Sequence, residues 1–254
     1  MEVNVLRRWA GALLLLAAAA AWGQGTPHSY ALISEMARDI NVVSFQGTTG
    51  SRLDGNQRQK FEVPEGTIEK FVLFTARAKL ASLEPAAELW LMAPLKEDLF
   101  PRLQNPALGS KLSIPEDLAQ ALREQKSTHL LIFTPHRDEA DFSVFIGSHA
   151  GAGSIEGVGF YVDRMFEVED PQTRLTARGY LAAFAYFRVT LAEAATGKVL
   201  WTKHARAYEV QPATRAKNSP HPWDAMTAPE KVQALRRLIE GNINTLLTEA
   251  MAAL

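Results

Sequence analysis

The chain has 254 residues, 47% hydrophobic and 22% charged, with 27 basic against 28 acidic side chains and no cysteine. That composition is globular rather than disordered, and the balanced charge lacks the clustered basic excess that nucleic-acid binding needs, so no nucleic-acid partner is expected. Without cysteine there is no disulfide, no cysteine-based zinc centre, no thiol catalysis and no lipid attachment through a cysteine.

In chain order, Arg7 and Arg8 precede an apolar run from Ala10 to Ala21, followed by Trp22, Gly23 and Gln24. A positive start, a short apolar middle and a small-residue exit make a secretory signal peptide. The run of about 12 residues is short of the roughly 20 that a membrane-spanning helix requires. Residues 1–23 are therefore read as a signal peptide, cut after Ala21 or Gly23. Residues 24–254 are read as a single α+β domain exported to the periplasm, neither lipid-anchored nor integral to the membrane.

Tyr30 to Met36 and Ile40 to Phe45 read as two short strands, and the glycine-bearing stretch Gln46 to Asn56 as a loop. Ile68, Phe71, Val72 and Phe74 share one face of a helix over Thr67 to Leu80. Leu89 to Met92, between Pro85 and Pro94, is too short for a helix and reads as a buried strand. Ser113 as cap, Pro115 in the first turn and Glu116 reaching back form a capping box that opens a helix to about Gln125. His129 to Phe133 then reads as a buried strand, which closes a strand, helix, strand unit.

An antiparallel meander follows. Phe142, Val144 and Ile146 alternate in one strand, Phe160, Val162, Phe166 and Val168 in the next, and Leu181, Ala183, Ala185, Phe187, Val189 and Leu191 in a long third; Val199 and Trp201 begin a fourth. Ala195, Thr196, Gly197 and Lys198 make the turn between the last two. Residues 211 to 223 hold three prolines and read as a surface connection. Thr227 and Glu230 bracket Pro229 in a second capping box, and Val232, Leu235, Ile239, Ile243, Leu246 and Ala250 give a long amphipathic helix that should lie across the sheet.

This order, ending in the segment ATGKVLWTKHARA and a final helix, resembles the domain of curli-secretion-type and penicillin-binding-protein-activator-type envelope proteins and the TolB amino-terminal domain. Gly197, Lys198, Val199, Leu200 and Trp201 carry the likeness to their D-x-x-T-G-x-V-L-W hairpin, with Glu193 where aspartate is usual. The segment Gly157 to Asp163 is similar to a G-x-G-F-Y-V-D stretch of uncharacterised exported proteobacterial proteins. The resemblance implies an envelope protein that binds other proteins, and it transfers no catalytic residue.

Five glycines, Gly147, Gly151, Gly153, Gly157 and Gly159, fall within 13 residues. A strand rather than a helix follows them, so they read first as a flexible hairpin loop, then as a partner-contact loop, and last as a phosphate cradle. The six histidines, His28, His129, His136, His149, His204 and His221, show no metal-ligand spacing, so no metal and no cofactor are expected. His136, Arg137 and Asp138 follow a buried strand, where α/β sites often lie, and form an alternative polar site. The chain has no G-x-S-x-G, S-x-x-K or H-E-x-x-H motif.

In the third meander strand Tyr180, Phe184, Tyr186 and Arg188 share one face, and in the fourth His204, Arg206 and Tyr208 share one. If the register aligns them, the sheet carries an aromatic and basic face. It is either covered by helices or used as an interface, since tyrosine, phenylalanine and arginine are common anchors. The sequence thus points to a non-enzymatic exported binding or envelope-assembly protein with an envelope protein as partner. The alternative is a small-molecule or cell-wall-fragment binder or hydrolase. An exposed aromatic patch would favour the first, a concave pocket with convergent polar groups the second.

Overall fold

The computed structural model describes residues 27–47, 54–92, 107–145, 148–170, 173–216, 219 and 221–254. The expected signal peptide over 1–23, most of the glycine-bearing loop, Ile146 and Gly147 lie outside them. Strands β1 (Ser29–Ser34), β2 (Asp39–Ser44) and β3 (Gln57–Glu62) lead into helix α1 (Thr67–Leu83); β4 (Glu88–Met92), helix α2 (Glu116–Glu124) and β5 (His129–Pro135) follow. Next come the short β6 (Arg137–Glu139), β7 (Phe142–Phe145) and β8 (Ser148–Ala150), then the long β9 (Ser154–Glu169), β10 (Thr176–Glu193) and β11 (Val199–Pro212), and finally helix α3 (Ala228–Ala252). The domain is α+β, as the sequence indicated.

One strand organises the sheet. Along one edge β10 pairs with β11 from Tyr180 to Ala192. Along the other it pairs first with β9, over Thr176 to Tyr186, and then with β5, over Phe187 to Glu193. Two wings therefore hang from β10, one running β9, β2, β3 and the other β5, β1, β4. In the second wing β1 lies between β4 and β5, parallel to both, so the strand, helix, strand unit skips one strand. The close fit of β2 to β9 depends on Gly159, where a Cβ would overlap the Asn41 carbonyl.

Alternation along β10 divides the core. Ala185, Phe187, Val189 and Leu191 pack with Tyr30, Leu32 and Leu131 beneath α1 and α3, and Leu181 and Ala183 meet Ala234 and Leu235 of α3. On the opposite face Ala192, with Ala31, Ile33, Leu130 and Ile132, packs under Leu118 and Leu122 of α2. Helix α3 begins as expected: Thr227 accepts from the Glu230 amide, and the Glu230 carboxylate accepts from the Thr227 amide. Its stripe differs from the expected one, since Val232 is 53% exposed while Ala234 and Leu247 are buried as well.

Several expectations need correction. Helix α2 has Pro115 itself at the cap position with no side-chain cap, so Ser113 does not open it. The strand β4 is an edge strand with Trp90 39% exposed, not a buried one. The first meander strand, β7, belongs to a separate two-stranded hairpin with β8 rather than to the main sheet. Gly157 and Gly159 lie inside β9, not in a flexible loop. The strand β3 was missed because its sequence, QRQKFE, is exposed throughout and carries no hydrophobic alternation.

Candidate functional site

The register joins the aromatic and basic sets: Phe184 pairs with Tyr208, Tyr186 with Arg206 and Arg188 with His204. The resulting face nevertheless has two different fates. Tyr180, Phe184 and Tyr186 have no exposed surface. They are covered by the β7–β8 hairpin, whose Phe142 lies 5.0 Å from the Tyr161 ring, 6.1 Å from Tyr180 and 5.3 Å from Tyr208, centroid to centroid. The Tyr208 hydroxyl, half-buried, accepts from the Ser143 amide at 2.9 Å. The aromatic residues are thus core, covered by strands and not by helices, and cannot act as surface anchors.

Between that hairpin and α2 no described residue covers the face completely, which leaves a window where Arg188 is only half-buried. Arg188 lies in it, paired across the sheet with Thr134 of β5 and His204 of β11. Thr134 and Thr190 are buried and form its floor, the Thr190 hydroxyl 3.1 Å from that of Thr202. Here the two predicted sites merge. The His136 and His204 rings stack at 4.2 Å, Arg188 donates to His136 Nδ1 at 3.4 Å, and Arg206 Nε lies 3.4 Å from Asp138 Oδ2. Asp138 Oδ2 is also 3.4 Å from His136 Nε2, within ionic range but long for a hydrogen bond, and that nitrogen is buried.

The electrostatics of the window follow from burial and two guanidiniums. Burial lowers the pKa of His136, reinforced by His204 and Arg188, and burial with Arg188 lowers that of His204. Burial alone would raise Asp138, but the Glu139 amide and Arg206 outweigh it and keep the carboxylate ionised below its usual range. His136, Asp138 and His204 can each present one ligand atom within 4.8 Å of the others, the grouping among the described residues that could hold a metal. Sequence spacing did not reveal it, because His204 arrives from β11, far along the chain.

Alternation sends the neighbours of these residues elsewhere. Pro135 and Arg137 line a cleft of about 540 Å³ with Glu35, Arg38, Asp39, Arg58 and Lys60. It opens beyond the carboxyl ends of the parallel strands β1 and β5, where ligands bind in open α/β sheets. Burial pushes the Glu35 carboxyl up to about 7, with Arg38 opposing and Glu69 adding to the rise. Both Glu35 carboxylate oxygens are buried without a hydrogen-bond partner. Arg58 is tied to Asp54, and Arg137 donates to the Ser154 hydroxyl at 2.9 Å. Among the glycines, Gly151 has φ 114° and lies close to the Ala140 carbonyl and Phe142, where an added Cβ would clash, although the residue itself is exposed. Gly153, with φ 74°, packs against Asp54 and Asn56. Sequence reading missed Glu35, Arg38, Arg58 and Lys60; for Glu35 and Arg38 the signal available was a charged turn directly after a buried strand, and the exposed strand β3 gave none for Arg58 and Lys60.

No family model matches the chain, and no curated protein matches it in sequence. Among solved structures it is similar to a Xanthomonas campestris protein of family DUF330, at 9% identity and TM-score 0.40, over 91% of this chain and 90% of that one. A structure described as a neuraminyllactose-binding hemagglutinin homologue from Helicobacter pylori is similar at 12% identity and TM-score 0.38, covering 91% and 88%. The lipoprotein GNA1162 from Neisseria meningitidis is similar at 10% identity and TM-score 0.30, covering 87% and 99%. No helix among the described residues is long and apolar enough to cross a membrane.

Proposed function

We propose that the protein is an exported periplasmic binding protein, non-enzymatic, whose ligand occupies the cleft beyond β1 and β5. The observation that carries this reading is the cleft itself, about 540 Å³, lined by Arg38, Arg58, Lys60 and Arg137 together with Asp39 and Glu156. That volume is in the range of small-molecule sites. A lining of both signs suits a polar ligand that bears both signs, such as a peptide-bearing fragment of the cell wall. Hydrolysis is disfavoured because the Glu35 carboxylate oxygens are buried. Export rests on the amino-terminal pattern of Arg7, Arg8 and the apolar run that follows. Ligand-observed NMR with soluble cell-wall peptides and amino sugars tests the reading. Saturation transfer with the wild type that is lost in the Lys60→Ala/Arg137→Ala variant is expected; no transfer from any of them overturns it.

A second reading, an envelope protein as partner, is favoured by the window. Arg188, His204, Arg206 and part of Tyr208 reach the surface there from two adjacent strands. Its test is capture from solubilised envelope by wild type and by the Arg188→Ala/Arg206→Ala variant, which leaves the buried Tyr186 intact. A partner retained equally by both baits rules out this face.

A further inference from the structure

We infer that His136, Asp138 and His204 form a site for one divalent transition-metal ion of the zinc class. The inference is independent of the cleft, and it concerns a different set of side chains.

Geometry carries it. His136 Nε2 and Asp138 Oδ2 are 3.4 Å apart, and the nitrogen is buried. Two ligands each about 2.0–2.1 Å from a tetrahedral ion lie roughly 3.4 Å from one another. The pair, an ion pair when His136 is protonated, therefore already has the separation of two groups on one ion. The third group, His204, stacks on His136 at 4.2 Å and is the exposed member, so a turn of its ring completes the set. Two imidazoles and one carboxylate select zinc, cobalt, nickel or iron(II) over magnesium or calcium, which prefer oxygen. The ligands sit on or beside strands β5, β6 and β11, which are more rigid supports than loops.

The neighbouring guanidiniums are the counterweight. Arg206 Nε is 3.4 Å from Asp138 and Arg188 is 3.4 Å from His136 Nδ1, long contacts that a bound ion would replace. With the ion on Nε2, His136 carries its proton on Nδ1 and no longer accepts from Arg188. Both arginines would then flank the open coordination position. Three protein ligands leave that position free, as at exchangeable rather than closed structural zinc sites. An anionic group of small size would be drawn there.

Titration of the untagged chain with Zn²⁺ by calorimetry, and with Co²⁺ by visible absorption, tests the site. The expected result is one ion per chain with micromolar affinity, weakened at least tenfold by His204→Ala and by Asp138→Asn, and unchanged by the control His149→Ala. Circular dichroism checks that each variant is folded; His204 is exposed, so its variant keeps the test valid if Asp138→Asn is not. Removing the competing cation in Arg206→Ala should tighten binding several-fold. No binding at millimolar Zn²⁺, or binding that His204→Ala leaves intact, overturns the site.

Discussion

The two halves of one sheet face differ more than their sequences do. From Tyr180 to Tyr186 the face of β10 is aromatic and sealed; at Arg188, two residues on, it is charged and reached by solvent. Both halves follow the same alternation on the same strand. What separates them is the cover: the β7–β8 hairpin stops short of Arg188, and α2 begins only over Ala192. A face that alternation groups as one surface is therefore two, a core and a site, and only the elements stacked on it decide which is which.

That contrast can be broken by mutation. Phe184→Ala or Phe142→Ala should cost about 3–5 kcal/mol, as large core truncations do, and a urea melt reads the loss directly. A loss below about 1 kcal/mol would mean that the hairpin does not seal the aromatic half. Glu35→Gln is intermediate. The folded carboxyl has its pKa raised from 4.5 to about 7, so the wild type holds this proton more tightly folded than unfolded. Stability from this group is complete below pH 4.5 and is lost as the pH rises through about 7. Glu35→Gln should therefore gain on the order of 1–3 kcal/mol at pH 8 and flatten the fall in melting temperature between pH 5 and 8. An unchanged slope would show that the buried carboxyl is solvated. The smallest effect is expected for Arg206→Ala, whose side chain is 39% exposed and whose ion pair with Asp138 is long. Its cost should stay below about 1 kcal/mol in the same melt, and a larger one would make the window part of the core.

Local chemistry was legible in the sequence, and long-range placement was not. The Thr227 capping box, the turn at Gly197 and the alternation of β10 depend on neighbours in the chain, and each is where the sequence puts it. In β9, by contrast, Phe160 and Val162 face α3 while Phe166 and Val168 pack with Tyr161 on the other face. The charged edge strand β3 has no hydrophobic pattern to read, and Pro115 displaced Ser113 from the cap of α2. The site followed the same division. His136, Asp138, Arg188, His204 and Arg206 were all singled out, but in two separate groups, because nothing in the chain says that β6 and β11 meet over β10. The cleft depended on β1, β2 and β3 converging, and its charges looked like ordinary solvated surface residues.

The 18-residue strand β10 has a consequence for how the molecule comes apart. The wing of β9, β2 and β3 and the wing of β5, β1 and β4 hold successive stretches of its same edge. Neither wing can peel away without unzipping a stretch of the strand that anchors the other, and α3 lies against both. Heating should therefore melt the domain in one step. The amides in the middle of β10 should be the last to exchange with solvent, with β3 and β4 at the outer margins fraying first.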